Sequence, residues 1–291
     1  MNWAMAVVMS GLGAIGGFAA GLLGIGGGII MLPLMLYVPP IFGLPILSVK
    51  GAAALTMVQS LFAALSGIWV HRRRGGMDWR LAVYLGLSGA TASLAGSWSS
   101  QYLQSDIILG LFAMLTVIAT GLMFLDPAER DGTGGVSRIL SVAGGFCIGG
   151  AAGIVGQGGA FLFVPFMIFV LRIPTRTALG SSLVISALSG IAGFAGRAGT
   201  GQIDYFLASA LVLGAIPAAQ LGGWLSSKLH TVVLRRVLGV VIGITAIRML
   251  VGISAWYLAG LALAVTILIT TGIFQRNKLF CPTAGSDASP E

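Results

Sequence analysis

Groups that could hold an anion occur twice in this chain, in the same order and at the same spacing. Residues 21–33 read G-L-L-G-I-G-G-G-I-I-M-L-P, and residues 153–165 read G-I-V-G-Q-G-G-A-F-L-F-V-P. Gly21, Gly24, Gly26, Gly27 and Pro33 return as Gly153, Gly156, Gly158, Gly159 and Pro165, at a constant offset of 132. A glycine cluster inside an apolar run breaks a membrane helix, because glycine gains most conformational freedom by leaving it. Each cluster therefore ends one helix and starts another. A helix N-terminus presents unpaired N–H groups and partial positive charge, which suit an anion. The backbone at Gly26, Gly27 and Gly28, and at Gly158, Gly159 and Ala160, is the candidate binding surface. The competing use of such glycines is close helix packing, which G-x-x-x-G pairs such as Gly17/Gly21 and Gly149/Gly153 commonly serve.

A few polar side chains accompany this backbone. Gln157 stands in the second cluster where the first has Ile25, and a buried amide can donate two hydrogen bonds to an oxyanion without adding charge. The same amide could instead satisfy carbonyls freed by the break. Ser181 and Ser182 open a span just after Gly180 and offer hydroxyls. Thr56 and Gln59 lie three apart, hence on one helical face. For Ser and Thr, a bond to the carbonyl one turn back is an equally ordinary fate. Lys50 either guides an anion near a vestibule or extends to the headgroups. Arg197, beside glycines, could face an exit path.

The elements that must position these groups are membrane helices. The chain is 57% hydrophobic and only 8% charged, with a mean hydropathy of +0.99. Several stretches exceed the roughly 18 apolar residues that cross a bilayer. The net charge of +8 lies in short clusters between apolar spans, which fits membrane topology and lipid contact and not a nucleic-acid surface. Full spans read as 46–70, 80–100, 106–125, 179–196, 204–226, 232–250 and 254–274. Two longer regions, 3–37 and 139–171, are each interrupted by a glycine cluster. No cationic segment precedes Trp3, so a cleaved signal peptide is not expected. All six tryptophans fall at span ends, where an amphipathic ring prefers the interface.

Basic residues choose between two topologies. If each interrupted region goes in and comes back, the repeats are inverted, and only Lys50, Arg197 and Arg248 of the 16 Lys and Arg residues lie outside. If each region is one long broken span, the repeats are parallel and the charges divide evenly. Positive residues resist translocation, so the inverted arrangement is favoured. The expected fold is an all-α integral membrane protein of two inverted-topology repeats with glycine-broken helices, plus one extra C-terminal helix. The divisions are 1–125 for the first repeat, 126–138 for a linker, 139–250 for the second repeat, 251–274 for the added helix, and 275–291 for a polar tail. The repeats also match at Gly75–Trp79 with Gly201–Tyr205, and at Pro45–Gly51 with Pro174–Gly180.

The eight acidic residues all fall in loops, span ends or the tail. A proton-coupled carrier usually keeps an ionisable group within the membrane, and none is evident. Asp78 and Asp204 are expected to cap the helices they precede. No metalloprotease, Walker or Ser/His/Asp constellation is present, and Cys147 and Cys281 form no framework, so neither an enzyme nor a metal or other cofactor is expected. An anion leaving a negative-inside cell gains about 2.3 kcal/mol per charge per 100 mV, which suffices for a uniporter.

The doubled motif and the stretch Ala178-Leu179-Gly180-Ser181-Ser182-Leu183 resemble the TauE/SafE family of sulfite and organosulfonate exporters across nearly the whole chain. That resemblance implies a multi-pass permease of the cell inner membrane, exporting sulfite, sulfoacetate or a related small sulfur-containing anion. The first repeat departs from the pattern, with Gly51-Ala52-Ala53 where the second has Gly180-Ser181-Ser182. The residues themselves leave three readings open: an alternating-access permease, a passive anion channel or carrier of another small anion, and a non-transporting sensor or assembly subunit.

Overall fold

A computed structural model describes residues 3–24, 26–72, 77–124, 138–226 and 228. The described residues are mostly helical, in the order α1 (Trp3–Leu23), α2 (Gly28–Ile41), α3 (Val49–Arg72), α4 (Trp79–Ser99), α5 (Ser105–Phe124), α6 (Arg138–Val155), α7 (Ala160–Pro165), α8 (Thr175–Gly199) and α9 (Tyr205–Ser226). α7 continues as a π-helical turn, Phe166–Val170. Six of these helices are long and apolar enough to cross a membrane. The expected linker before Arg138, the spans 232–250 and 254–274, and the tail lie outside the described residues.

Both long regions are broken where glycines cluster, and the breaks are conformational copies. Gly24, Gly26 and Gly27 have φ of 66°, 69° and 72°, and Gly156, Gly158 and Gly159 have 83°, 63° and 80°. Left-handed backbone at three matching positions ends a right-handed helix, and only glycine adopts it without strain. Gly27 and Gly159 then stand as N-caps of α2 and α7. The remaining correspondences follow: α1 with α6, α2 with α7 and its π turn, α3 with α8, and α4 with α9. Asp78 accepts from the Leu81 N–H at 3.1 Å, and Asp204 accepts from those of Phe206 and Leu207 at 3.0 and 3.1 Å. Both carboxylates thus cap the fourth helix of their repeat, as expected of them.

Packing exchanges helices between the repeats. α1 packs most extensively on α9, and α6 on α4. Gly13, Gly17 and Gly21 sit on the backbone of Leu211, Ala215 and Ala219, so closely that a Cβ would collide with the facing carbonyls. Gly145, Gly149 and Gly153 sit likewise on Leu85, Gly89 and Ser93. Under the repeat correspondence these are the same three contacts. The outlying glycines of the motif therefore serve close helix approach.

Equivalent helices α3 and α8 run antiparallel. Gly67 faces Leu183, whereas Leu61 faces Gly190 and Met57 faces Gly193. α4 runs parallel to α8, with Gly86 against Leu188, Gly89 against Ser189 and Gly196 against Ser97. Parallel repeats would require α3 and α8 to run the same way, so this course fits inverted ones.

Candidate functional site

The two breaks meet in the interior, with α3 and α8 closing around them. A Cβ on Gly28 would stand 3.0 Å from Gln157 Cβ, 3.1 Å from the Gln157 carbonyl oxygen and 2.9 Å from Ser60 Oγ. One on Gly26 would lie 3.0 Å from Ser186 Oγ and 3.3 Å from Ala160 Cβ. One on Gly158 would lie 2.9 Å from Ser186 Oγ and 3.5 Å from Ser60 Cβ. Gly27 approaches Gln59 Nε2 in the same way, at 2.9 Å. At Gly26, Gly27 and Gly158 glycine is required twice over, by positive φ and by crowding against the bare backbone, and at Gly28 by crowding alone.

These side chains are buried without partners. Gln59, Ser60, Gln157 and Ser186 are all 0% exposed. Both amide atoms of Gln59 and of Gln157, and the hydroxyls of Ser60 and Ser186, have no hydrogen-bond partner in the protein. Ser189 Oγ, one turn further along α8, is in the same state. Each orphaned buried group costs about 1–3 kcal/mol, and native proteins keep few of them. Collecting four such side chains at one place is an expense that packing alone does not explain. The set combines amide donors, hydroxyls that donate or accept, and the N-terminus of α2, whose first N–H groups have no intrahelical acceptor. Its chemistry is that of a neutral cluster of buried hydrogen-bonding groups, able to serve a small polar ligand.

Of the residues singled out in the sequence, the structure brings together Gly26, Gly27, Gly28, Gln59, Gln157, Gly158 and Ala160. Gly159 faces away, toward Phe163 and Ala152. Thr56 donates to the Ala52 carbonyl at 2.8 Å, one turn back. Ser182 donates to Gly24 O at 2.6 Å and Leu179 O at 2.8 Å, tying α8 to the end of α1. Ser181 Oγ accepts from the Asp78 N–H at 3.0 Å. Lys50 Nζ donates to Gln101 O at 2.7 Å, fastening the start of α3 to the turn after α4.

Ser60 and Ser186 were not singled out. A signal existed for each: Ser60 follows Gln59 directly, and Ser186 lies four residues after Ser182 on α8, hence near the same face.

The fold is that of a multi-pass helical membrane protein with two broken helices meeting at a buried polar cluster. A family model described as Sulfite exporter TauE/SafE matches residues 9–249, and the chain belongs to that family. Among relatives, a probable membrane transporter protein of Xylella fastidiosa (strain 9a5c) is 32% identical over 251 residues, covering 83% of this chain and 93% of that protein. The probable membrane transporter protein YunE of Bacillus subtilis is 24% identical, covering 81% of this chain and 95% of its own. The probable membrane transporter protein MJ0441 of Methanocaldococcus jannaschii is 23% identical over 82% of this chain and 93% of its own. No solved structure matches.

Proposed function

We propose that this chain is a permease that exports a small sulfur-containing oxyanion by alternating access, with the anion held where the two glycine breaks meet. The observation that carries this reading is the cluster of orphaned groups on Gln59, Ser60, Gln157 and Ser186 at the start of α2. An oxyanion accepts hydrogen bonds from amide N–H and hydroxyl groups, and the N-terminal end of α2 favours its charge. The description of the family suggests sulfur, and the unpartnered donors favour an anion. Glycine breaks near mid-membrane are tolerated where they line a cavity, and paired breaks in corresponding positions mark the binding site of many repeat-built carriers. Complete burial of the cluster favours a carrier that closes over its substrate rather than an open pore.

The test is sulfite binding to purified protein by calorimetry, with sulfate, sulfoacetate and chloride as competitors. Saturable binding that disappears in Gln157→Ala and Ser186→Ala supports the site. Binding that survives both substitutions places the anion elsewhere. In liposomes, flux that fails to saturate with substrate would replace the carrier by a channel.

A further inference from the structure

Arg197 is the one charged side chain among the buried described residues, and it is 0% exposed. It reaches from the end of α8 to the last turn of α6. Its Nη2 donates to the carbonyls of Ile154 at 2.8 Å and Gly153 at 3.2 Å, and its Nη1 to Gln202 Oε1 at 2.9 Å. Nε has no partner. No carboxylate lies within ion-pair distance among the described residues. None could come from the remaining spans either, since the sequence from 205 to 286 has no Asp or Glu.

A buried cation without a counter-ion costs several kcal/mol even after relaxation. Carbonyl dipoles at a helix C-terminus offset part of that, since that end carries partial negative charge. Ile154 is three residues before Gln157, so the guanidinium sits about one helical turn (~5 Å along the axis) from the break that carries the binding amide. Every other buried polar group at the junction is neutral.

We infer that Arg197 is the fixed counter-charge of the transported anion. It is a positioning residue that does not touch the substrate, and it makes the site select monoanions. This rests on the central site proposed above. One bound monoanion brings the enclosed interior to neutrality. A dianion leaves a net negative charge and loses far more hydration, because the desolvation cost rises steeply with charge. The substrate class narrows to hydrogensulfite and simple sulfonates, at the expense of dianions such as sulfoacetate. At a separation on the order of 10 Å and an effective dielectric of about 20, one unit charge changes monoanion affinity by roughly tenfold.

The experiment is calorimetric binding of methanesulfonate and of sulfate to the full chain and to Arg197→Gln and Arg197→Lys. The wild type is expected to bind methanesulfonate more tightly than sulfate. Arg197→Gln, which keeps a donor for the α6 carbonyls but not the charge, is expected to weaken methanesulfonate by about tenfold, with Arg197→Lys close to wild type. A purely structural contact makes the Gln and Lys variants alike, and that result overturns the inference. So does a wild type that prefers sulfate, a measurement that needs no variant to fold. A wild type that binds neither anion overturns the central site itself.

Discussion

Gln157→Leu exchanges the orphaned amide for an apolar side chain of nearly the same size. If the amide is held for a ligand and satisfies nothing in the protein, this substitution makes the protein more stable and less able to bind. Both polar atoms of Gln157 are buried and unpaired, and relieving such groups returns on the order of 1–3 kcal/mol. At roughly 2–4 °C per kcal/mol for a chain of this size, the melting temperature in detergent is expected to rise by several degrees. The same measurement with sulfite supplies the second half. A ligand at one hundred times its Kd stabilises by about 2.7 kcal/mol, so sulfite should raise the wild-type melting temperature and leave the variant unmoved. The opposite result is equally informative. A Gln157→Leu protein that melts lower than wild type shows the amide bonded to freed carbonyls at the break, and the reasoning from orphaned groups fails.

The two α8 serines should separate cleanly. Ser186→Ala is expected to lose sulfite binding with no fall in melting temperature, because its hydroxyl is unpaired, whereas Ser182→Ala loses its bond to Gly24 O and about 1 kcal/mol of stability while retaining binding; equal effects would show that α8 has no dedicated ligand face. Ala160→Leu places bulk beside Gly26, so transport into liposomes should be abolished at an overpacking cost of roughly 1–3 kcal/mol, and normal flux from a folded variant would move the site away from the junction. Gly149→Ala drives a Cβ into the backbone of Gly89, and the yield of monodisperse protein should collapse, as it would for a destabilisation of about 3 kcal/mol or more.

Much of this architecture was legible in the sequence because its signals are backbone signals. The glycines at 24, 26 and 27 and at 156, 158 and 159 stand in both copies, and a left-handed turn has few other residues to use. Helix ends fall close to the expected spans: α4 occupies Trp79–Ser99 against 80–100, and α9 occupies Tyr205–Ser226 against 204–226. Side-chain employment was less legible. Thr56 and Gln59 share a face by spacing, yet one hydroxyl turns back to Ala52 O while the neighbouring amide is left free. Which outcome a helical Ser or Thr takes depends on what the next helix presents, and that is a fact of tertiary contact. Ser60 and Ser186 were passed over for that reason. Arg197 carried an exit-path reading because its acceptors, the carbonyls of Gly153 and Ile154, lie over forty residues away in sequence.

The exchange of helices between repeats has a consequence for biogenesis. α1 leaves the ribosome well before α9, yet its glycine face fits that helix, roughly two hundred residues later, and such long-range closure is slow to form. Until α9 is inserted, that face must rest against lipid, so the early chain is an unfinished intermediate exposed to quality control. Neither repeat is a self-sufficient unit, since α6 needs α4 as α1 needs α9. Two half-chains divided between α5 and α6 should therefore accumulate only when synthesised together, each acting as the assembly template of the other.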